Sequence, residues 1–351
     1  MKRLFSEFSI KDVKIKNRIC VPPMVIGFGQ DGYVSQENVD RYKKLAQGGA
    51  GLIIQEATCI NADGLLSVKQ LGIWKDDQIE GLKNIVDTVH AENCKIFIQI
   101  HHAGVTGISE NPISPSPYEY NNFGRSVVGR EMTYEDIKSV QNYYIEAARR
   151  AYEAGYDGIE LHGCHGYLIS QFLNTRVNKR TDEYGATPEK FVIEILDGIR
   201  KVTPKEFIVG IRLGGFEPTI EDGIHYAKVL DENGIDFLDV SYGFFSEQEM
   251  HVSEDYKYSN AVYAAERIKK EVSVPVFAVN GINSAEVAEK ILNETNVDIV
   301  DIGKGVLINT NWANYAKEGK DTGKCLNCTK CMWFGQSEVC PGKVIFDKNN
   351  K

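Results

Sequence analysis

The feature that most constrains the fold of this chain is a regular alternation of short, β-rich apolar runs with longer amphipathic stretches. Short apolar runs favour buried strands, whereas apolar residues spaced three and four apart favour helices. Eight runs predict strands, at Ile19–Pro22, Gly51–Gln55, Lys95–Ile100, Gly158–His162, Phe207–Leu213, Phe237–Ser241, Val276–Val279 and Asp298–Gly303. The predicted helices between and after them are Ser35–Gln47, Asp76–Glu92, Tyr134–Glu153, Pro188–Val202, Glu221–Asn233, Asn260–Glu271, Ser284–Asn293 and Asn311–Lys317.

Strict alternation of strands and helices predicts parallel strands joined by crossover helices. An open, doubly wound sheet and a closed barrel both satisfy this pattern. Eight units favour closure, and no strand–helix pair carries the G-x-G-x-x-G fingerprint of a dinucleotide-binding sheet. We therefore predict an α/β protein with a (β/α)8 TIM barrel over residues 1–319.

Two long insertions and a cysteine-rich tail interrupt or follow this rhythm. The insertions, Ala103–Met132 and Tyr242–Tyr258, follow the third and sixth predicted strands. Because active sites of such barrels lie at the carboxyl ends of the strands, we expect both insertions to act as lids or substrate walls. The tail, residues 320–351, is predicted to be a separate metal-binding unit.

Charge and hydropathy narrow the range of partners. The chain has 351 residues and a formal net charge of −9, which argues against nucleic acid because like charges repel. No apolar run approaches the roughly 18 residues of a membrane helix, and residues 1–15 lack the apolar core of a signal peptide. We expect a cytoplasmic location and no membrane partner. The sequence does not determine the oligomeric state and is compatible with a homo-oligomer.

Three polar side chains leave the end of the fourth predicted strand within six positions. They are His162, His165 and Tyr167. Imidazoles can donate hydrogen bonds to a carbonyl oxygen, and a phenol can deliver a proton. Packing at a strand end is the plainer interpretation of any one of them. Their grouping on the catalytic face of a barrel favours a site that adds hydride and a proton across a conjugated C=C bond.

The segment around these residues resembles the signature of the Old Yellow Enzyme family. It reads His162-x-x-His165-Gly-Tyr167-Leu-Ile-x-Gln-Phe-Leu, followed by Asn178-x-Arg180-Thr-Asp-Glu-Tyr-Gly185. Further matches, spread over roughly residues 1–319, are Asn17-Arg18-Ile19, Pro22-Pro23-Met24, Glu56-Ala57, Gln99-x-x-His102-Ala103-Gly104, Gly210-x-Arg212, Ala278-x-Asn280-Gly281-Ile282 and Asp301-Ile302-Gly303-Lys304. The chain is also similar to the flavin domains of 2-enoate reductases and bacterial 2,4-dienoyl-CoA reductases.

The resemblance implies an FMN-dependent ene-reductase that takes hydride from NADH or NADPH and passes it to a small-molecule alkene such as an enone or enoate. It implies that His162 and His165 hold the substrate carbonyl. Tyr167 would protonate the carbon next to that carbonyl.

The same resemblance implies which residues hold the flavin. Backbone groups of Pro23, Met24 and Ala57 would line the ring, Gln99 would bond its pyrimidine edge, and Arg212 would lie near N1 and O2. The phosphate would be held by four residues after the seventh and eighth strands, Asn280, Gly281, Gly303 and Lys304. Lys304 stands where the family usually has arginine and offers a point charge in place of a bidentate fork.

Four cysteines crowd into the tail as Cys325-x-x-Cys328-x-x-Cys331, with Cys340-Pro341 nine positions on. A C-x₂-C-x₂-C core and a cysteine followed by proline are typical of ferredoxin-type ligation, which favours a [4Fe-4S] cluster. A four-thiolate zinc site is the competing interpretation, and an unmetallated tail is the third. Trp333 and Phe334 are expected to shield the site from water. The other four cysteines, Cys20, Cys59, Cys94 and Cys164, are expected to be buried.

Alternative functions follow from parts of the pattern. A flavin enzyme acting on RNA is disfavoured by the acidic charge, and an aldolase lacks an obvious Schiff-base lysine other than Lys304. A third alternative is a flavin and iron–sulfur electron-transfer component of a larger reductase complex. This interpretation accounts for the cysteine-rich tail but gives no role to His162, His165 and Tyr167. Because the chain stops at Lys351 with no second flavin domain, a cluster would need a redox protein partner.

Overall fold

The structure, a computed structural model, describes residues 1–122, 125–243, 247–333 and 337–350. Eight parallel strands close into one barrel in chain order, and the fourth strand pairs with the fifth to complete the ring. The strands are Ile19–Val21, Leu52–Cys59, Lys95–His101, Gly158–Gly163, Ile208–Gly214, Phe237–Ser241, Val276–Ala278 and Ile299–Asp301. The predicted TIM barrel is confirmed.

Helices cover the outside of the barrel. They are Gln36–Gln47, Ile79–His90, Tyr134–Glu153, Leu168–Leu173, Glu183–Ala186, Lys190–Val202, Ile220–Glu232, Asn260–Lys269, Ala285–Thr295, Gly303–Ile308, Trp312–Lys317 and Pro341–Asn349. Tyr134–Glu153 has the predicted bounds because Thr133 and Asp136 form a capping box at its start. None of the described helices has the length and the apolar character that crossing a membrane requires.

The amino-terminal end of the barrel is closed by a hairpin that the sequence analysis did not predict. Strands Phe8–Ile10 and Val13–Ile15 pair antiparallel, and their isoleucines pack against the barrel interior. Phe237 stacks between Phe97 and Phe277 there, with ring centroids 5.4 and 4.8 Å away. This packed layer leaves room for a ligand only toward the carboxyl ends of the strands.

The two insertions lie together over those carboxyl ends. The first forms a small sheet of Ile113–Ser114, Tyr118–Asn122 and Arg125–Glu131. Its Tyr118 hydroxyl donates a hydrogen bond to Glu247 of the second insertion at 3.0 Å. Residues 123–124 and 244–246 of the insertions lie outside the described residues. The two loops are therefore in contact, and their role as walls of a site stays a prediction.

The tail packs onto the barrel through a small apolar cluster. Ile308, Cys340 and Phe346 are its buried members, and Phe346 belongs to the unpredicted helix Pro341–Asn349. Trp333 donates from Nε1 to the carbonyl oxygen of Leu307 at 2.9 Å. Phe334, the other expected shield, lies outside the described residues. The tail is therefore anchored on the helix that follows the eighth strand.

Candidate active site

A cavity of about 470 Å³ opens at the carboxyl ends of the barrel strands. Eight of the twelve predicted flavin-binding and catalytic residues line it, and they are Pro23, Met24, His165, Arg212, Asn280, Gly281, Gly303 and Lys304. Four others lie outside its lining, namely Ala57, Gln99, His162 and Tyr167. The fold thus gathers the predicted phosphate residues and part of the predicted ring-binding and catalytic residues around one space.

One end of the cavity, where a phosphate site was predicted, is built from turns that follow the seventh and eighth strands. Asn280 and Gly281 both have φ of +73°, a left-handed conformation that asparagine and glycine adopt at low cost. At Gly303 a Cβ atom would lie 3.3 Å from Pro22 Cγ and 3.6 Å from Met24 Sδ. A side chain there would fill the space between the eighth strand and Pro22, so glycine keeps backbone N–H groups accessible to an anion.

Arg212 lies on the floor of the cavity and is 5% exposed. Its Nη1 is 2.6 Å from Asp239 Oδ2 and 3.6 Å from Asp301 Oδ2. The neighbouring carboxylates hold the pKa of this guanidinium above its usual value, against the effect of burial. Its buried Nε has no hydrogen-bond partner among the described residues, which leaves one donor for a ligand.

Three buried carboxyl groups surround this one arginine, and the sequence analysis did not identify them as site residues. Burial raises the pKa of Glu160 and Asp301 well above the usual range and also raises that of Asp239. Because one guanidinium cannot balance three negative charges, protonation of the carboxyl groups reduces the charge. The sequence signal that could have identified them is the presence of one acidic residue in each of three largely apolar strands.

Two of the predicted flavin contacts are already used within the fold. Gln99 donates from Nε2 to Glu160 Oε1 at 2.7 Å, and the two residues are register partners on adjacent strands. The carbonyl oxygen of Ala57 accepts a hydrogen bond from Gln70 Nε2 at 2.8 Å. In this structure both groups bind the protein interior and not the cavity.

The two predicted histidines belong to a row of three imidazoles that ends at a hydroxyl. His101 Nδ1 lies 3.1 Å from His162 Nδ1, and His162 Nε2 lies 3.1 Å from His165 Nδ1. His165 Nε2 lies 2.9 Å from Ser241 Oγ. The sequence analysis did not identify His101 or Ser241, since they come from the third and sixth strands and only closure of the barrel brings them here.

Burial keeps all three imidazoles neutral. It lowers the pKa of His101 and of His165 to about 3, and it lowers that of His162 well below the usual value. Neighbouring imidazoles and Arg212 lower the pKa of His162 further. Near neutral pH each ring therefore has one N–H donor and one lone pair. Such rings can bond a carbonyl oxygen but carry no positive charge.

Tyr167 packs against this row from one side. Its ring centroid is 4.4 Å from that of His101 and 4.6 Å from that of His162. His165 and Gly166 have φ of +63° and +75°, and this tight turn brings Tyr167 back toward the strand end. Burial raises the pKa of Tyr167 to about 12, so its hydroxyl keeps its proton at neutral pH. A protonated phenol beside neutral imidazoles can act as a general acid.

The cysteines divide as the sequence suggested. Cys20, Cys59, Cys94 and Cys164 are buried, as predicted. In the tail Cys325, Cys331 and Cys340 line the same cavity as Lys304, and Cys328 does not. Cys328 and Cys331 are both exposed. In the part of the chain that the structure describes, no three side chains of His, Cys, Asp or Glu are placed to hold a metal ion together. The predicted four-thiolate arrangement is not assembled here.

Comparison with known proteins identifies the family. A family model described as the NADH:flavin oxidoreductase / NADH oxidase family matches residues 3–322. An NADH oxidase from Thermoanaerobacter brockii is 38% identical over 343 residues, which cover 93% of this chain and 52% of that protein. An NADPH dehydrogenase from Geobacillus sp. (strain WCH70) is 38% identical over 318 residues, 88% of this chain and 92% of that protein.

Solved structures show the same architecture. A complex of 2-naphthoyl-CoA reductase with 2-naphthoyl-CoA matches with a TM-score of 0.87 at 26% identity, covering 94% of this chain and 54% of that one. An Old Yellow Enzyme homologue from Zymomonas mobilis matches with a TM-score of 0.79 at 25% identity, covering 92% and 95%. The chain thus spans about half the length of two of these relatives and nearly all of the others.

The chain is a TIM barrel with a cavity at the carboxyl ends of its strands, and the family match assigns its class. The chain belongs to the NADH:flavin oxidoreductase family, which includes the Old Yellow Enzymes, and it is an oxidoreductase. This family depends on FMN and uses NAD(P)H as its reductant. The resemblance inferred from the strand-end motifs is confirmed.

Proposed function

We propose that this protein binds FMN in the cavity and reduces an activated C=C bond of an enone, an enoate or a related small molecule. The observation that carries the proposal is the row of neutral imidazoles with Tyr167 beside it, at one side of a cavity that also holds Arg212 and the glycine turns. Such a site presents donors to a carbonyl oxygen and a proton to the adjacent carbon.

The residues present fit FMN on two observations. The unpartnered Nε of Arg212 offers a buried donor to the pyrimidine part of a flavin, where reduction places negative charge. The turns at Gly281 and Gly303 offer a backbone cradle to one phosphate, and Lys304 adds a cation. FMN, when bound, supplies the hydride chemistry that no protein side chain can perform.

The roles of this chain's own residues follow from their positions. His162 and His165 would exchange their present hydrogen bonds, to His165 and to Ser241, for hydrogen bonds to the substrate carbonyl, and these would draw electron density away from the C=C bond. Tyr167 would hold its proton until a carbanion forms at the carbon beside the carbonyl, and then release it there. The insertions joined by Tyr118 and Glu247 would limit the access of water to the site.

The proposal is tested with purified protein under nitrogen. Heat release of the flavin and its identification by mass should give FMN, and NAD(P)H should then support reduction of cyclohexenone at the C=C bond. Finding FAD or no flavin would contradict the cofactor assignment. Flavin reduction without any reduction of an enone or enoate would contradict the ene-reductase assignment.

The tail supports a second candidate function, that of a flavin and iron–sulfur component of a larger reductase. The observation that favours it is that Cys325, Cys331 and Cys340 line the cavity next to Lys304, so a cluster bound by them would lie beside the flavin phosphate. Thiolates must be deprotonated and close together to bind a cluster, and metal binding would supply the energy that draws them together. Electrons from a separate redox protein would then enter through the tail.

Metal analysis of protein prepared without oxygen decides between the interpretations of the tail. About four iron and four sulfide per chain would support the cluster, and about one zinc would support a structural site. Cys331→Ser should lower the bound metal, whereas Cys94→Ser, at a buried position remote from the tail, should not. Neither metal above trace level would show that the four cysteines are free thiols.

A further inference from the structure

The direction of the hydrogen bonds along the imidazole row is set by His101, at the end of the row opposite Ser241. Each ring is neutral and has one N–H, so each contact between two rings uses one donor and one lone pair. His162 is in the middle and both of its nitrogens are engaged. It therefore either accepts from His101 and donates to His165, or does the reverse.

His101 Nε2 distinguishes these two directions. This atom is buried and has no hydrogen-bond partner among the described residues. If His162 donated to His101, the single proton of His101 would lie on Nε2 as a buried N–H without an acceptor, which folded proteins rarely contain. In the opposite direction His101 carries its proton on Nδ1, donates it to His162, and leaves only a lone pair unpaired.

The outer end of the row agrees with the second direction. If His162 accepts at Nδ1, it donates from Nε2 to His165, and His165 donates from its Nε2 to Ser241. Ser241 lines the cavity, so its hydroxyl proton can be donated to a ligand there. No buried N–H along the row is then left without an acceptor.

We propose that His101 is a positioning residue that holds His162 and His165 as Nε2–H tautomers, so that the row presents donors to an oxygen in the cavity. This inference rests on the proposed function, in which these rings bind a carbonyl oxygen. Without the N–H of His101 the row can reverse, and lone pairs would then face the substrate oxygen and repel it.

Two substitutions distinguish the effect of the N–H donor of His101 from the effect of its size. His101→Asn can place an amide N–H at the position of Nδ1, and His101→Leu is of similar size but has no donor. His102→Asn is the matched control at the next position in the chain, because His102 Nδ1 accepts from the backbone N–H of Gly104 and takes no part in the row. The full chain loaded with FMN is used throughout.

The direct readout is ¹⁵N NMR of protein labelled in histidine, since the nitrogen shift distinguishes a protonated from a bare ring nitrogen. In the unmodified protein we expect His162 to be bare at Nδ1 and protonated at Nε2. Signals of His162 are assigned from a His162→Asn sample. A proton on His162 Nδ1 would overturn the proposal, whatever the behaviour of the variants and whether or not the enzyme reduces enones.

The second readout is the affinity for 4-hydroxybenzaldehyde, followed by absorbance of the bound flavin. His101→Leu should weaken binding roughly tenfold, the size of one neutral hydrogen bond, whereas His101→Asn and the control should stay close to the unmodified protein. Equal weakening in the leucine and asparagine variants, or none in either, would contradict a positioning role for the N–H. Failure of the proposed function shows itself separately, as absence of FMN or of alkene reduction.

Discussion

Lys304 donates a hydrogen bond from Nζ to Oδ1 of Asn327 at 2.7 Å, so the cation after the eighth barrel strand is held by the cysteine-rich tail. Asn327 lies between Cys325 and Cys328, and it has φ of +51°. The residue proposed to bind the FMN phosphate is thus also a contact of the proposed metal-binding segment. Cofactor binding and the arrangement of the tail share one side chain.

This shared side chain gives the first prediction. Lys304→Met should weaken FMN binding about tenfold, because an exposed cation–phosphate contact is lost, and Lys304→Arg should restore most of it. Titration of apoprotein with FMN, followed by flavin fluorescence, measures the effect. Lys317→Met, an exposed lysine away from the cavity, is the control. Equal affinities for all variants would remove Lys304 from the phosphate site.

The second prediction concerns the proton donor. Tyr167→Phe should leave reduction of the flavin by NAD(P)H nearly unchanged and slow its reoxidation by a poorly activated enone about 10²–10⁴-fold, the range for one general acid. Stopped-flow absorbance measures the two half-reactions separately. Tyr152→Phe, on the outside of the barrel, should change neither. Unchanged rates in the Tyr167 variant would exclude it as the acid.

The third prediction concerns the carbonyl-binding histidines. His162→Ala and His165→Ala should each weaken binding of phenolate ligands, which imitate a substrate oxygen with negative charge, by about tenfold or more. The charge-transfer absorbance between phenolate and oxidised flavin gives the affinity. The control is His225→Ala, whose side chain is 58% exposed. Full affinity in both cavity variants would mean that the oxygen is bound elsewhere.

The fourth prediction is a pH dependence of stability from Glu217, a fully buried carboxyl group. Asn174 donates to one of its oxygens at 3.2 Å, and the other has no partner among the described residues. Burial raises its pKa to about 8. The unfolded chain loses this proton near pH ~4.3, so between these values the folded state binds more protons and stability falls as pH rises.

Glu217→Gln keeps a neutral side chain at every pH and should therefore remove this loss. The difference in Tm between the variant and the unmodified protein should be small at pH 5. At pH 9 the Tm of the variant should exceed that of the unmodified protein by roughly 2 °C or more. Differential scanning calorimetry across this range measures it. Glu221→Gln, at an exposed position four residues on, should give a flat difference. A flat difference for Glu217→Gln as well would show that Glu217 is ionised in the fold.

The fold and the location of the site could be predicted from the sequence, since both depend on local patterns. Period and length of the apolar runs determine eight strand–helix units, and the residues after each strand end up on one face because parallel strands point the same way. The resemblance to the Old Yellow Enzyme family implied Arg212, Gly281 and Gly303 as site residues, and the structure brings them to one cavity.

Only the tertiary structure decided which side chains meet. His101 and Ser241 lie 140 positions apart in the chain, and no local pattern connects them; closure of the barrel places both on the row through His162 and His165. The same holds for the contact of Lys304 with Asn327. Local sequence sets the direction of each strand, but hydrogen-bond geometry and burial depend on neighbours from other strands, and these determine the protonation and the chemistry of the site.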